Sequence, residues 1–196
     1  MKRADGAASL AAALAEDAVV IASLGTSGRA WRDHGGENLT YYASDPMGTA
    51  PAFALGAAVS RPDLQFVLLE GDGDLVMNLG VLLTIARTAP SNLHVVVTRN
   101  GCYETGGGQP LGAPDGADLA AMAVAAGWTH ARNIPAVTTP DAYRDFLSVF
   151  LGMPGPAIAV VEMESEPSPY GGPGQYSGGE ARLQFQEALA ARHSAG

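Results

Sequence analysis

Phe66-Val67-Leu68-Leu69-Glu70-Gly71-Asp72-Gly73-Asp74-Leu75 is the stretch that decides the fold. Four apolar residues run into an acidic residue held between two glycines, the pattern of a buried strand that ends in a tight turn. That turn puts the Asp72 carboxylate at the carboxyl edge of the strand. Downstream, Leu75 to Ala89 predicts a helix and Leu93 to Thr98 a second apolar strand, which ends at Asn100-Gly101-Cys102-Tyr103. A right-handed crossover returns the second strand beside or near the first, so Asp72 and Asn100 emerge at the same edge of one parallel sheet. A carboxylate, an amide oxygen and nearby loop carbonyls suit a hard cation such as Mg²⁺, which favours phosphate oxygens as its remaining ligands.

The rest of the chain repeats the alternation. Ala7 to Ala15 is helical by propensity, with Asp5 as a candidate cap, and Ala18 to Ser23 is a short apolar strand ending at the loop Gly25-Thr26-Ser27-Gly28. Pro46 to Ser60 predicts a helix of small residues, entered through Met47-Gly48 and carrying Pro51 in its first turn, where proline is tolerated. A helix from Asp118 to Ala126, a strand from Trp128 to Ala131, a helix from Asp141 to Leu151 and a strand from Ala157 to Glu162 follow. Strand-helix alternation predicts an α/β fold, a parallel sheet covered by helices on both faces, with ligands at the carboxyl ends of the strands. Residues 167–179, rich in Gly, Pro and Ser, read either as a surface connection or as a lid, and a last helix is expected from Glu180 to Ala191.

Composition narrows the partners. With 196 residues, 47% hydrophobic and 16% charged, the chain reads as a compact soluble protein of one large domain or two small ones. A formal net charge of -9 with no basic patch argues against nucleic acid. A diphosphate can still bind, because Mg²⁺ and backbone N–H groups supply local positive potential. The single cysteine, Cys102, leaves no intrachain disulfide, and His34, His94, His130 and His193 are scattered without zinc-ligand spacing. No signal-peptide core follows Met1-Lys2-Arg3 and no apolar run approaches the roughly 20 residues of a membrane span, so no membrane partner and a cytoplasmic setting are expected.

The Asp72 and Asn100 pairing resembles the diphosphate-binding motif of thiamine diphosphate (TPP) enzymes. The order and spacing of Leu24-Gly25-Thr26-Ser27-Gly28-Arg29, Pro46-Met47-Gly48-Thr49-Ala50, Gly71-Asp72-Gly73 with Met77-Asn78-Leu79-Gly80, Asn100-Gly101 and Gly106-Gly107-Gly108-Gln109-Pro110 are similar to those of the cofactor-binding half of sulfopyruvate and phosphonopyruvate decarboxylases. The resemblance runs from about residue 18 to 163. It implies a single TPP-enzyme diphosphate-binding domain over residues 1–196, whose Mg²⁺ ligands are Asp72, the Asn100 side chain and the Cys102 carbonyl, leaving the thiol as a structural group. It also implies that Gly25, Thr26 and Ser27 line the pocket with Gly71 and Gly73, that Tyr103, Glu104 and Thr105 offer N–H groups to the diphosphate, and that Gln109 faces the substrate.

Other residues carry two readings. Met47 is either core packing or the large apolar wedge that, in the family, sits beneath the thiazolium and holds the cofactor bent. Asp74 departs from the small or hydroxylated residue many relatives carry there. A carboxylate facing the diphosphate would repel it, so Asp74 is expected to turn away, for example to cap a helix starting at Leu75. Arg29 and Arg32 either approach an anionic substrate or stay solvated.

Half of the site implied by the resemblance is missing. The glutamate that activates the aminopyrimidine belongs to a pyrimidine-binding domain, and none is visible; Glu70 and Glu104 lie at the diphosphate end by motif position. The resemblance therefore implies a hetero-oligomer in which a pyrimidine-binding subunit supplies that glutamate. The function it implies is decarboxylation of a small anionic 2-keto acid such as 3-sulfopyruvate, with phosphonopyruvate, a carboligase related to acetolactate synthase and a non-catalytic TPP-binding scaffold as alternatives. A generic nucleotide-binding domain is disfavoured, since neither G-x-x-x-x-G-K-[ST] nor a convincing G-x-G-x-x-G at a strand end is present.

Overall fold

The computed structural model describes residues 1–44, 46–135, 138–166 and 178–192. In chain order these form α1 (Arg3–Ala13), β1 (Val19–Ala22), α2 (Thr26–His34), β2 (Thr40–Tyr42), α3 (Ala50–Ser60) and β3 (Phe66–Gly71). There follow α4 (Asp72–Val76), α5 (Val81–Thr88), β4 (Leu93–Arg99), the short β5 (Cys102–Tyr103) and β6 (Gln109–Pro110), and α6 (Leu119–Ala125). The chain continues through β7 (His130–Ile134), α7 (Pro140–Phe150), β8 (Ala157–Glu162) and α8 (Gly179–Ala191). Six strands form one sheet in the order β2-β1-β3-β4-β8-β7, and every pairing in it is parallel.

Alternating residues of the buried strands feed two cores. Ile21, Phe66, Leu68, Val95, Val97 and Val160 face α3, α5, α6 and Phe185 of α8, while Val20, Val67, Leu69, Val96 and Val161 face Leu10 of α1, Trp31 of α2 and Tyr143, Leu147 and Phe150 of α7. The period-2 alternation thus puts helices on both faces, as the sequence predicts. No helix among the described residues is long and apolar enough to cross a membrane.

Several expected boundaries shift, each for a local reason. The segment Leu75 to Ala89 is not one helix: α4 ends at Val76, a turn spans 77–80, and α5 begins at Val81. The Asn78 amide donates to the Gly48 carbonyl at 2.9 Å across this break, and Gly80 adds a weak helix former. Likewise, residues 26–28 are not loop but the first turn of α2, whose Thr, Ser and Gly have low propensity; burial of Trp31 secures the helix. The three-residue edge strand β2 and the β5-β6 hairpin carry no signal long enough to read.

In α1 the helix begins at Arg3, so Asp5 lies inside the first turn and caps nothing. The helix expected over Pro46 to Ser60 starts only at Ala50, leaving Met47-Gly48 in a turn. Two helices have side-chain caps where the sequence reading named none. Asp118 accepts the Ala121 N–H at 2.8 Å and Thr139 accepts that of Ala142 at 3.2 Å ahead of Pro140. Trp128, expected in a strand, precedes β7 and donates its indole N–H to the Leu82 carbonyl at 2.9 Å. The Gly- and Pro-rich stretch read as connection or lid falls, over residues 167–177, outside the described residues.

Candidate functional site

The sheet order sets the position of the site. From β1 the chain moves outward to β2, then returns to β3 on the other side of β1, so the loops after β1 and β3 diverge to leave a crevice at their carboxyl ends. There lies an open cleft enclosing about 410 Å³, its mouth included, lined by Leu24 to Ser27 after β1, Met47 after β2, Gly71 to Asp74 after β3, and Thr98, Asn100 and Cys102 to Thr105 at the end of β4. Register brings the loops level: Gly71 pairs with Thr98.

Asp72 joins them. It is buried; Oδ1 accepts the Gly73 N–H at 2.8 Å, while Oδ2 accepts those of Gly101 at 2.8 Å and Asn100 at 3.1 Å. Burial raises the Asp72 pKa, against the pull of these three N–H groups and the Arg99 charge. A buried carboxylate held only by neutral donors is a group that a bound cation would stabilise. The Asn100 side-chain oxygen accepts the Cys102 N–H at 3.1 Å, shaping the loop as an Asx turn. Among the described residues no three His, Cys, Asp or Glu side chains gather, so the donors at this junction are carboxylate, amide and backbone oxygens. That set fits a hard cation.

Around the junction the expected lining residues take distinct places. Gly25, Thr26 and Ser27 enter α2, whose first N–H groups have no intrahelical acceptor and give the helix end its positive character. Ser27 itself turns inward, its hydroxyl 2.5 Å from that of Thr98, which donates to the Glu70 carbonyl at 3.0 Å. Tyr103 lays its ring on the turn at Gly73, where an added Cβ would come within 2.6 Å of the ring. Thr105 packs against Gly25, 3.6 Å from where a Cβ would sit. Met47 is half-buried in the cleft wall.

Four further residues complete the picture. Gln109 is exposed on β6, outside the cleft lining, with its amide over Gly106 and Gly107. Arg29 and Arg32 lie on α2 outside the lining, and Arg32 pairs with Asp33 at 3.0 Å. The Cys102 thiol is half-buried, 3.6 Å from the Ser165 hydroxyl.

Three acidic groups behave in ways the sequence does not show. Asp74 lies inside α4, which begins at Asp72, so it caps nothing; its Oδ1 accepts the N–H of Gly48 in the Met47 turn. Glu70 is fully buried, its Oε1 accepting the Gly71 N–H at 2.8 Å and its Oε2 without a hydrogen-bond partner among the described residues; burial first and the Asp74 charge second push its pKa well up. The Glu104 side chain, 5% exposed, is paired with Arg3 of α1 and accepts from the Ser165 hydroxyl at 3.1 Å and the Glu166 N–H at 2.7 Å. Burial pushes this carboxyl up, yet the Arg3 and Glu166 contacts outweigh it and hold it below the usual value. Thr98, Leu24 and Arg3 were not singled out by the sequence. Thr98 and Leu24 follow from their places at strand ends, whereas nothing local marks Arg3.

An acidic turn joined to an amide loop at the switch point of a doubly wound parallel sheet defines a diphosphate-binding domain. The chain belongs to the thiamine pyrophosphate enzyme family: the model of its C-terminal TPP-binding domain matches residues 23–161, and the cofactor such a domain takes is thiamine diphosphate. Over 149 residues, 76% of this chain, it is 35% identical to the sulfopyruvate decarboxylase subunit beta of Methanothermobacter thermautotrophicus, of which it covers 75%. It is 34% identical over 149 residues to the phosphonopyruvate decarboxylase of Streptomyces viridochromogenes, but spans only 36% of that protein. The 2-oxoglutarate:ferredoxin oxidoreductase from Magnetococcus marinus shares the fold, with a TM-score of 0.68 at 20% identity over 83% of this chain and 62% of that one.

Proposed function

We propose that this chain is a single diphosphate-binding domain acting as the cofactor-binding subunit of a TPP-dependent 2-keto acid decarboxylase, with 3-sulfopyruvate as substrate and sulfoacetaldehyde and CO₂ as products. The observation that carries the reading is the Asp72 carboxylate bridging the Gly73 turn to the Asn100 loop. Asp72, the Asn100 side chain and the Cys102 carbonyl would hold Mg²⁺, which would supply positive charge for the cofactor's diphosphate. The N–H groups opening α2 at Thr26 and Ser27, with those of Tyr103 to Thr105, complete the anion cradle. Bound there, TPP supplies the electron sink for loss of CO₂ from a 2-keto acid. Met47, in the cleft lining, would support the thiazolium end.

A partner subunit completes the site by supplying the glutamate that activates the aminopyrimidine. The support is the length of the match: it covers most of a protein named as a beta subunit but only about a third of the phosphonopyruvate decarboxylase. Among the described residues lining the cleft no Lys, Arg or His occurs, so the cation that orients an anionic substrate also comes from the partner. The expected result with chain, partner, TPP and Mg²⁺ is CO₂ release from sulfopyruvate in preference to phosphonopyruvate and pyruvate. Preference for phosphonopyruvate would transfer the assignment to the second relative, and a coupled product from pyruvate would make the protein a carboligase.

A further inference from the structure

We propose that Asp74 and Asn78 are positioning residues that fix Met47 by clamping both peptide groups of its neighbour Gly48. The inference rests on the reading of Met47 as the support of the thiazolium and explains the acidic residue at position 74. Gly48 is buried, and its N–H donates to Asp74 Oδ1 while its carbonyl accepts from the Asn78 amide at 2.9 Å. The two clamping side chains come from α4 and the turn just after it, the same segment that carries Asp72.

Backbone geometry makes the contact specific. Gly48 has φ +83°, a conformation that L side chains rarely adopt, and an added Cβ would lie 2.8 Å from the Asn78 Cβ. The Met47 turn and the turn after α4 therefore meet backbone to backbone, and only glycine permits it. Asp74 is buried at this contact. In this way the segment that anchors the diphosphate end of the cofactor also sets the height of the Met47 side chain at the other end. Coupling the two through one glycine keeps the distance between metal and wedge constant, which is the condition for catalysis that depends on cofactor orientation.

The test reads both structure and turnover. In the cofactor-free chain, amide hydrogen exchange over residues 46–50 is expected to accelerate in Asp74→Ala and Asn78→Ala and to stay slow in Asp74→Asn, which keeps an acceptor oxygen. In the assembled complex, Asp74→Ala is expected to lower kcat by about 10²-fold, with TPP affinity held within about threefold and Asp74→Asn recovering most of the loss. Met47→Ala should lower kcat in the same way without changing exchange at Gly48. Unchanged exchange in both alanine variants, or loss of TPP affinity and kcat together, would overturn the clamp while leaving the Met47 reading in place. Unchanged kcat in Met47→Ala alone would instead remove the reading on which the clamp rests.

Discussion

Asp72→Ala is expected to abolish TPP binding in the assembled complex, with an affinity loss of at least about 100-fold, since even groups that merely orient metal ligands cost about 10–100-fold when removed. The carboxylate does two jobs here. It offers a carboxylate oxygen at the junction with Asn100, and it accepts three backbone N–H groups that hold the two loops level. Asp72→Asn separates the jobs: it keeps an acceptor for the Gly73 or Gly101 N–H but removes the charge and turns an amide donor toward other donors. Both variants should lose the cofactor, Asp72→Ala alongside a stability loss of about 1–3 kcal/mol for the N–H groups left unpaired. Calorimetry for TPP and thermal unfolding of the cofactor-free chain measure the two effects. Wild-type TPP affinity in Asp72→Asn would show that charge at this position is irrelevant to the cofactor.

The second large effect is dependence on the partner. Purified alone, the chain is expected to release CO₂ from sulfopyruvate no faster than buffer containing TPP and Mg²⁺, and addition of a pyrimidine-binding subunit should raise the rate by at least the roughly 10²–10⁴-fold that a positioned acid-base group contributes. The reason lies in what the carboxylates of the cleft are doing. Asp72 is bound to loop backbone, Asp74 to Gly48 and Glu104 to Arg3. Glu70 is fully buried beneath them. Among the described residues no carboxylate of the cleft lining is free to reach an aminopyrimidine. Turnover by the chain alone, at a rate the partner does not increase, would contradict the assignment of the activating glutamate to a second subunit.

How far the sequence could be read depended on the range of the interactions. The strand ending at Gly71, the one ending at Arg99 and the crossover between them are written in runs of apolar residues bounded by turn residues, so the meeting of Asp72 with Asn100 follows from local pattern and the handedness of the crossover. The helices expected from Asp118 and Asp141 are likewise found within a residue of those starts, with Asp118 and Thr139 capping them. What pattern misses is whatever depends on contact at a distance. Residues 26–28 are poor helix formers held in a helix that buries Trp31, and the apparent helix from Leu75 to Ala89 is broken where Asn78 reaches Gly48.

Asp74 is the clearest case. From the sequence it reads as a cap that spares the diphosphate from repulsion; in the structure it does turn to another partner, but that partner is the N–H of Gly48, on the loop after β2. The Arg3 and Glu104 pair is illegible for the same reason, since it joins the first helix to the loop after β4 and neither residue has a local signature.

Metal dependence of cofactor binding tests the central claim most directly. TPP titrated calorimetrically into the complex of this chain with its partner is expected to bind in the presence of Mg²⁺ and to give no measurable heat of binding after chelation of divalent cations, with binding restored when Mg²⁺ is added back. Equal TPP affinity with and without divalent metal would contradict the assignment of Asp72, Asn100 and the Cys102 carbonyl as the site that holds it.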